Sequence, residues 1–385
     1  MKSKIIVLAL TTTVMSGFAI AGCGTNSGSN GNTSVGSATN SHTTTLTLYG
    51  NGDTNVQQLW DKTIIPQFEA KYPGIKVKDV FLQHGNGDQQ EMAKLQAATK
   101  TGKQSVDVDL FEGDPGTVQQ GQAAGVWQKV TTSDIPNLAN VQSGLLTPVN
   151  GFAVPYRASS VVLAYNSKEV PTPPKTFDDL IQWIKAHPGK FAYNDPSTGG
   201  SGQSFVISSI YKYMSPSVLG SSYDPSLESK WSQGLNMLKT LGPDMYQNGV
   251  YPKGNQGTLD LLANGDIAMA PAWSDQALSE LASGQLPSNI KITQITPGFT
   301  GGGTYVLVPK LSAHKDAAYK FLNFLLSNNV QSEIVTKMNG YPAIQWNQLP
   351  ADQQSKFASI AKDYRYWPGQ YSADLTKLWQ QTVTG

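Results

Sequence analysis

The stretch from residue 44 to residue 115 switches repeatedly between the two-residue period of a strand and the 3.6-residue period of a helix, and that switching limits the fold more than any other feature. Thr45-Leu46-Thr47-Leu48-Tyr49 alternates as a strand, and Gly50-Asn51-Gly52-Asp53 turns the chain. Val56, Leu59, Trp60, Ile64, Phe68 and Tyr72 then recur at helical spacing until Pro73-Gly74, with Pro66 expected to kink the helix. Ile75 to Leu82 reads as a second strand. Asp88-Gln-Gln-Glu91 has the form of a capping box and opens a helix through Met92, Leu95 and Ala98. Val106 to Phe111 is the third strand, ending in Glu112-Gly113-Asp114-Pro115. Strands separated by helices in this order pair in parallel, with helices on both faces of the sheet. The expected class is α/β.

A second round follows. Phe152 to Tyr156 and Val161 to Tyr165 read as strands on either side of Arg157-Ala158-Ser159-Ser160. Thr176-Phe-Asp-Asp179 opens a helix with Phe177, Leu180, Ile181 and Ile184 on one face, closed at Pro188-Gly189. Phe191 to Tyr193 reads as a strand, Asn194 to Gly202 as a loop, and the chain from Gln203 to Tyr213 as a helix. A helix near Thr258 to Ala263 precedes strands at Ile267 to Pro271, Ile290 to Ile295 and Tyr305 to Pro309. From His314 onward the pattern is helical, with Phe321, Phe324 and Leu325 as an apolar face. The expectation is two α/β lobes: 44–155 as the first part of lobe 1, 156–271 as lobe 2, 272–310 as the return to lobe 1, and 311–385 as a C-terminal helical segment.

Charge narrows the function. Only 14% of the 385 residues are charged and the net charge is +1, against roughly 25% charged in an average soluble protein. Such a chain lacks the basic surface that meets nucleic-acid phosphates. Few carboxylates also imply a stability that depends weakly on acid. One cysteine excludes a disulfide within the monomer and any cysteine-rich zinc site, and His42, His84, His187 and His314 are scattered. Neither a metal nor a cofactor is expected.

The N-terminus is a targeting segment. Lys2 and Lys4 precede a mostly apolar stretch of 16 residues, Ile5 to Ile20, short of the roughly 20 residues that span a bilayer. Residues 1–22 read as a signal peptide. Ile20-Ala21-Gly22-Cys23 looks like a bacterial lipobox, which makes Cys23 a lipidation site; the competing reading is an ordinary cleaved signal with a stray cysteine. Residues 23–43 are rich in Gly, Ser, Asn and Thr and read as a flexible tether, spanning on the order of 25 Å by random-coil scaling. The expected place is the extracellular face of the cytoplasmic membrane, on the periplasmic side where an outer membrane exists.

Ligands of open α/β sheets bind outside the carboxyl ends of the strands. That rule selects Tyr49, Asp53, Asp114, Ser201 in the Asn194 to Gly202 loop, and Trp273 with Asp275. Thr198-Gly-Gly-Ser-Gly202 at a helix start either offers backbone N–H groups to a polar or anionic group, or is a plain turn. An indole face beside a carboxylate suits an organic cation, and equally a sugar that stacks its C–H face and donates hydroxyls. A core tryptophan at a lobe boundary is the third reading of Trp273. Tyr156, Tyr305 and Tyr341 are candidate aromatic walls. Ser209-Ile-Tyr-Lys212 and Lys100-Thr-Gly102 fit two motifs of penicillin-binding proteins, but in reversed chain order, and read as chance matches.

Ile64-Ile-Pro-Gln-Phe-Glu-Ala-Lys-Tyr-Pro-Gly-Ile-Lys-Val77, Ser105-Val-Asp-Val108 and Asn264-Gly-Asp-Ile-Ala-Met-Ala-Pro-Ala-Trp273 occur in that order, followed by Tyr305 to Lys310, Ala317 to Ser327 and Asn339-Gly-Tyr-Pro342. Taken together they resemble the extracellular solute-binding proteins of bacterial ABC importers, family 1 and its polyamine-binding-like relatives, of periplasmic-binding-protein type II. The resemblance covers nearly all of the chain after residue 44. It implies a monomeric, two-lobed protein without catalysis. Such a protein closes on a small-molecule solute about hinge strands, here Val154 to Arg157 and the region of Ala270 to Trp273, and hands it to an ABC permease and its ATPase. It also implies that Trp273 lines the pocket. Asp275, two positions on, departs from the relatives, and the solute stays open between a sugar, a polyamine and another organic cation. Ferric-binding relatives use tyrosine pairs, which draws attention to Tyr364 and Tyr366, with packing in a C-terminal helix as the competing reading. A surface-anchored enzyme or a cell-wall-binding lipoprotein on a related fold is the alternative class.

Overall fold

Threonine and leucine alternate through β1 (Thr44–Tyr49) because one face of the strand is buried: Leu46 and Leu48 are inaccessible and Thr45 is exposed. The computed structural model describes residues 43–83, 87–219, 223–357, 360–361 and 364–385. The expected signal peptide, Cys23 and the tether up to residue 42 lie outside these described residues. After β1 come the short β2 (Asn51–Gly52), β3 (Ile75–Asp79), the short β4 (Leu82–Gln83) and β5 (Leu110–Gly113). β3 and β5 flank β1, both parallel to it, with Thr44 opposite Ile75 and Leu48 opposite Leu110. The expected parallel sheet is therefore present in lobe 1.

Local details differ from the sequence expectations for physical reasons. The helix after β2 runs Thr54–Leu59, widens into a π turn over Trp60–Ile64, and resumes as Ile65–Lys71. Pro66 has no N–H, and its ring displaces the carbonyl four residues earlier, so the ladder loosens just ahead of it. Trp60, Ile64 and Phe68 still face the core. The second strand ends at Asp79 rather than Leu82, because Leu82 and Gln83 leave the main sheet to pair with Asn51 and Gly52. The helix Asp88–Lys100 begins after Gly87, whose φ of 106° suits glycine, so Asp88 lies inside the helix and no capping box forms. The box at Thr176 and Asp179 does form.

The two strands expected around Arg157 to Ser160 are one. β6 (Val154–Asn166) runs for 13 residues and serves both lobes. Three further strands, β7 (Met269–Trp273), β8 (Ile290–Thr293) and β9 (Gly301–Leu307), and the short β10 (Tyr341–Pro342) complete the set. The first half of β6 pairs antiparallel with β9 and β10, and β9 pairs with β5, which continues the lobe 1 sheet in the order β10-β6-β9-β5-β1-β3. The second half pairs with β7 and β8, from Val161 opposite Trp273 to Asn166 opposite Ile290. Residues 272–293 therefore stay with lobe 2, and the return to lobe 1 begins only at β9, later than the expected 272. Phe191 to Tyr193 makes a single bridge, Phe191 to Met269, instead of a strand.

Each lobe has its own core. Leu46, Leu48, Trp60, Phe68, Phe321 and Ile334 pack together in lobe 1, and Leu163, Phe191, Phe205, Trp231 and Leu238 in lobe 2. The C-terminal stretch is divided between them. Helices Lys315–Leu325 and Asn328–Glu333 pack on lobe 1, whereas Trp367, Tyr371, Leu375 and Trp379 are buried in the lobe 2 core. Helical periodicity shows which face is apolar but not which lobe it meets.

Among the described residues the chain passes between the lobes three times, side by side: at Ser160–Val161, at Thr300–Gly301 and at Tyr364–Arg365. Val161 N donates to Thr300 O at 2.9 Å, Gly301 N to Arg365 O at 3.1 Å, and Arg365 N to Phe299 O at 2.8 Å. A Cβ on Gly301 would lie 2.8 Å from Ser159 O, Ser160 Cβ and Tyr364 Cγ, so only glycine lets the three passes meet. The expected hinge at Ala270 to Trp273 is corrected: those residues form β7 within lobe 2.

Candidate functional site

The turn after β1 in lobe 1 meets the start of the lobe 2 helix Gly254–Asn264, which is bonded to the start of the helix Gly200–Tyr211, itself against Trp273 at the end of β7, where the helix Ser274–Ser283 begins. Asp53 precedes the first helix of lobe 1, and its Oδ2 accepts from Asn255 Nδ2 of lobe 2 at 3.2 Å. This is a direct contact across the cleft. Asn255 is itself fixed: its Oδ1 accepts from the backbone N of Ser201 at 3.2 Å and from Ser201 Oγ at 2.9 Å. Asn194 Oδ1 accepts from Gly202 N at 2.7 Å and Ser201 Oγ at 2.8 Å. The N–H groups of Ser201 and Gly202 are thus taken by two asparagine side chains, which for these two groups favours the plain-turn reading over the offer to a polar or anionic group. Trp273 ends β7 half-buried, with its indole so close to Gly200 that a Cβ there would lie 2.8 Å from Cζ2.

Beneath this surface lies a buried charged chain. Glu112, inaccessible at the end of β5, accepts from Asn51 N and Trp60 Nε1, each at 3.0 Å, and from the hydroxyl of Tyr156. Arg157 donates through Nε to Tyr156 Oη at 2.8 Å and through Nη2 to Glu112 at 3.4 Å, and its Nη1 lies 3.7 Å from Asp275 Oδ2. Asp275 Oδ1 also accepts from Ser159 Oγ at 2.6 Å. Burial opposes the charge of Arg157, but Tyr156, Glu112 and Asp275 outweigh it and hold the guanidinium protonated. Burial also raises the proton affinity of Asp275, while Arg157 and Ser159 work against that.

The sequence candidates divide accordingly. Asp53, Ser201, Trp273 and Asp275 come together around the cleft, Ser201 through Asn255 and Asp275 behind the surface. Tyr156 lies in the lobe 1 core as a partner of Glu112. Tyr305 is buried with its hydroxyl on Leu145 O at 3.0 Å, and Tyr341 with its hydroxyl 2.7 Å from Ser160 Oγ. Tyr49 stacks on Phe111 with ring centroids 6.3 Å apart. These four rings serve packing in this conformation. Asp114 is exposed and caps the helix Pro115–Ala123 through Thr117 N at 2.8 Å. That helix start is a second contact between the lobes, because Gly116 there lies against Gly369 of the segment packed on lobe 2.

Sequence reasoning missed Glu112, Arg157 and Asn255 as site residues, and reached Asn194 only as the first residue of the Asn194 to Gly202 loop. An arginine inside a mostly apolar run, Val154 to Tyr165, was the available signal for Arg157. Tyr364 and Tyr366 lie in the third crossing segment rather than in a helix, Tyr364 against Gly301 and Tyr366 exposed. Ser209 is buried with its hydroxyl on Val206 O at 2.7 Å, Lys212 pairs with Asp178, and Lys100-Thr-Gly102 ends a helix of the other lobe. Among the described residues, no group of three or more His, Cys, Asp or Glu is placed to hold a metal ion, and no helix is long and apolar enough to cross a membrane.

Residues 63–356 match the model of the bacterial extracellular solute-binding protein family. The chain belongs to that family. The putrescine-binding periplasmic protein PotF of Escherichia coli is 25% identical over 305 residues, 71% of this chain and 74% of PotF. A maltooligosaccharide ABC transporter solute-binding lipoprotein of Streptococcus pneumoniae is 24% identical over 247 residues, and the match spans 57% of this chain and only 56% of that relative. Among solved structures, an ABC transporter solute-binding protein of Thermotoga lettingae bound to α-D-tagatose superposes with a TM-score of 0.69 at 19% identity, covering 89% of this chain and 95% of that one. The two-lobed architecture is thus that of ABC-transporter solute-binding proteins, and the family places the chain outside the cytoplasm.

Proposed function

We propose that this family member is the receptor of an ABC importer: it captures a small polar organic solute in the cleft between its lobes and delivers it to a membrane permease driven by a cytoplasmic ATPase. The observation that carries this reading is the set of three adjacent crossings at Val161, Gly301 and Arg365 between lobes with separate cores. Such a joint bends at few residues while both lobes move as bodies, and solute binding favours the closed form. Trp273 and Asp53 stand at the cleft as wall and acceptor. Asp275 acts behind them by holding Arg157.

We further propose that the chain is a monomer held to the outer face of the cytoplasmic membrane through a lipid on Cys23. Thermal unfolding against sugars, polyamines, other organic cations and ferric ion tests the receptor reading, since a solute that binds only the native state raises the midpoint. A large rise for one class supports it. A folded chain that responds to no class and releases no bound small molecule on denaturation counts against it. Cys23→Ser should move the chain from the membrane fraction to the soluble fraction.

A further inference from the structure

The seam beside the Asp53–Asn255 contact is short of hydrogen-bond donors. Gln276, in the first turn of Ser274–Ser283, is 4% exposed, and its Nε2 donates to Gln256 Oε1 at 3.0 Å and to Glu280 Oε1 at 3.1 Å. That pairing fixes the amide orientation, because turning it over would set an oxygen against two acceptors. Among the described residues, Gln276 Oε1 is buried with no hydrogen-bond partner. Glu280 is 6% exposed and its carboxylate is bonded by glutamine amides, with Asp260 and Asp53 nearby. Neither helix lining the seam, Gly254–Asn264 or Ser274–Ser283, contains a lysine or arginine. Arg157 of the buried chain is already engaged by Glu112 and Asp275.

A buried acceptor without a donor is costly, and a buried carboxylate without a cation more so. A partner that brings donors and a positive charge satisfies both groups at once, which an ammonium group does and a sugar hydroxyl does not. We propose that this seam is a subsite for the ammonium end of an organic cation, with Gln276 Oε1 and the Glu280 carboxylate as its acceptors and Asp53 closing over it from lobe 1. This inference rests on the receptor reading above and names the solute class of its cleft. Burial raises the proton affinity of Glu280 to about 7, with Asp260 and Asp53 adding to the effect; an arriving cation reverses that and restores the carboxylate.

Calorimetric titration of the full-length chain with 1,4-diaminobutane, spermidine, choline, D-tagatose and maltotriose tests it, run beside Glu280→Gln and Gln276→Leu. An ammonium compound should bind, and Glu280→Gln should weaken it by about tenfold to hundredfold, the usual loss for a charge-assisted hydrogen bond. Glu280→Gln removes a buried charge at constant shape, so its melting point at pH 8 should equal or exceed that of the unaltered chain, which separates lost binding from lost folding. Gln276→Leu should weaken the same compound. Binding of a sugar that neither substitution alters would overturn the ammonium subsite while leaving the receptor reading intact. A folded chain that binds none of the three ammonium compounds, or binds one equally well as Glu280→Gln, would overturn the subsite too.

Discussion

Arg157 on the strand shared by both lobes reaches Asp275 in lobe 2 at 3.7 Å, with the opposite edge of its guanidinium on Glu112 of lobe 1. All three side chains are at least nine-tenths buried. Removing one partner of such a chain strands the others. Arg157→Met should therefore destabilise the chain by about 3–5 kcal/mol in urea unfolding, the usual penalty for an uncompensated buried charge. Asp275→Asn keeps the Ser159 contact available and should do less damage. A loss under about 1 kcal/mol for Arg157→Met would show that the network contributes little.

Trp273 makes the opposite prediction. It ends β7 half-buried, so its removal opens cleft surface without emptying a core. Trp273→Ala should weaken the solute by more than about tenfold, the order expected of an aromatic anchor, while circular dichroism stays unchanged. Unaltered affinity would take Trp273 out of the site.

Gly116 and Gly369 meet where the start of the Pro115–Ala123 helix touches the segment buried in lobe 2. A Cβ on Gly369 would lie 2.7 Å from Gly116 Cα, backbone that cannot swing aside. If this contact forms on closure, Gly369→Val holds the lobes apart. Small-angle scattering should then show no contraction when solute is added, and affinity should fall. Contraction equal to that of the unaltered chain would mean that the contact is not part of closure.

Much of this architecture was legible because it rests on local pattern. The alternation in Thr45 to Tyr49, the capping box at Thr176 and the parallel order of the first three strands depend on residues close in sequence. What the pattern does not carry is partnership at long range. β6 looked like two strands because Arg157, Ser159 and Ser160 interrupt its apolar run, yet these polar residues are satisfied by Glu112, Asp275, Ser274 and Tyr341, which lie far away in sequence. The lobe assignment of Trp367 and Trp379 is of the same kind. For the site, strand-end reasoning reached Asp53, Ser201 and Trp273. It missed Asn255, whose two amide atoms join residues 53 and 201.

The few carboxylates of this chain imply a weak response to acid, and their burial gives that response a direction. Burial, reinforced by neighbouring carboxylates, pushes Asp79, Asp88 and Glu280 up to about 7 in the folded chain from ordinary values of 3.8, 3.8 and 4.5. Between those limits the folded state keeps protons that the unfolded state has released. Stability then falls as pH rises from about 4 to about 7, and levels off above. Glu69 acts oppositely: burial raises its proton affinity, but Lys76 and Val77 N more than offset this, so its contribution fades in acid below the usual carboxylate range. A tenfold change in proton affinity corresponds to about 1.4 kcal/mol, and Asp79 and Asp88 are partly screened by solvent, so roughly 1 kcal/mol per group is expected. Calorimetric melting should accordingly give a higher midpoint at pH 5 than at pH 8, and the paired substitution Asp88→Asn with Glu280→Gln should flatten the difference. A midpoint that falls steadily from pH 8 to pH 5 would contradict the buried-carboxylate account.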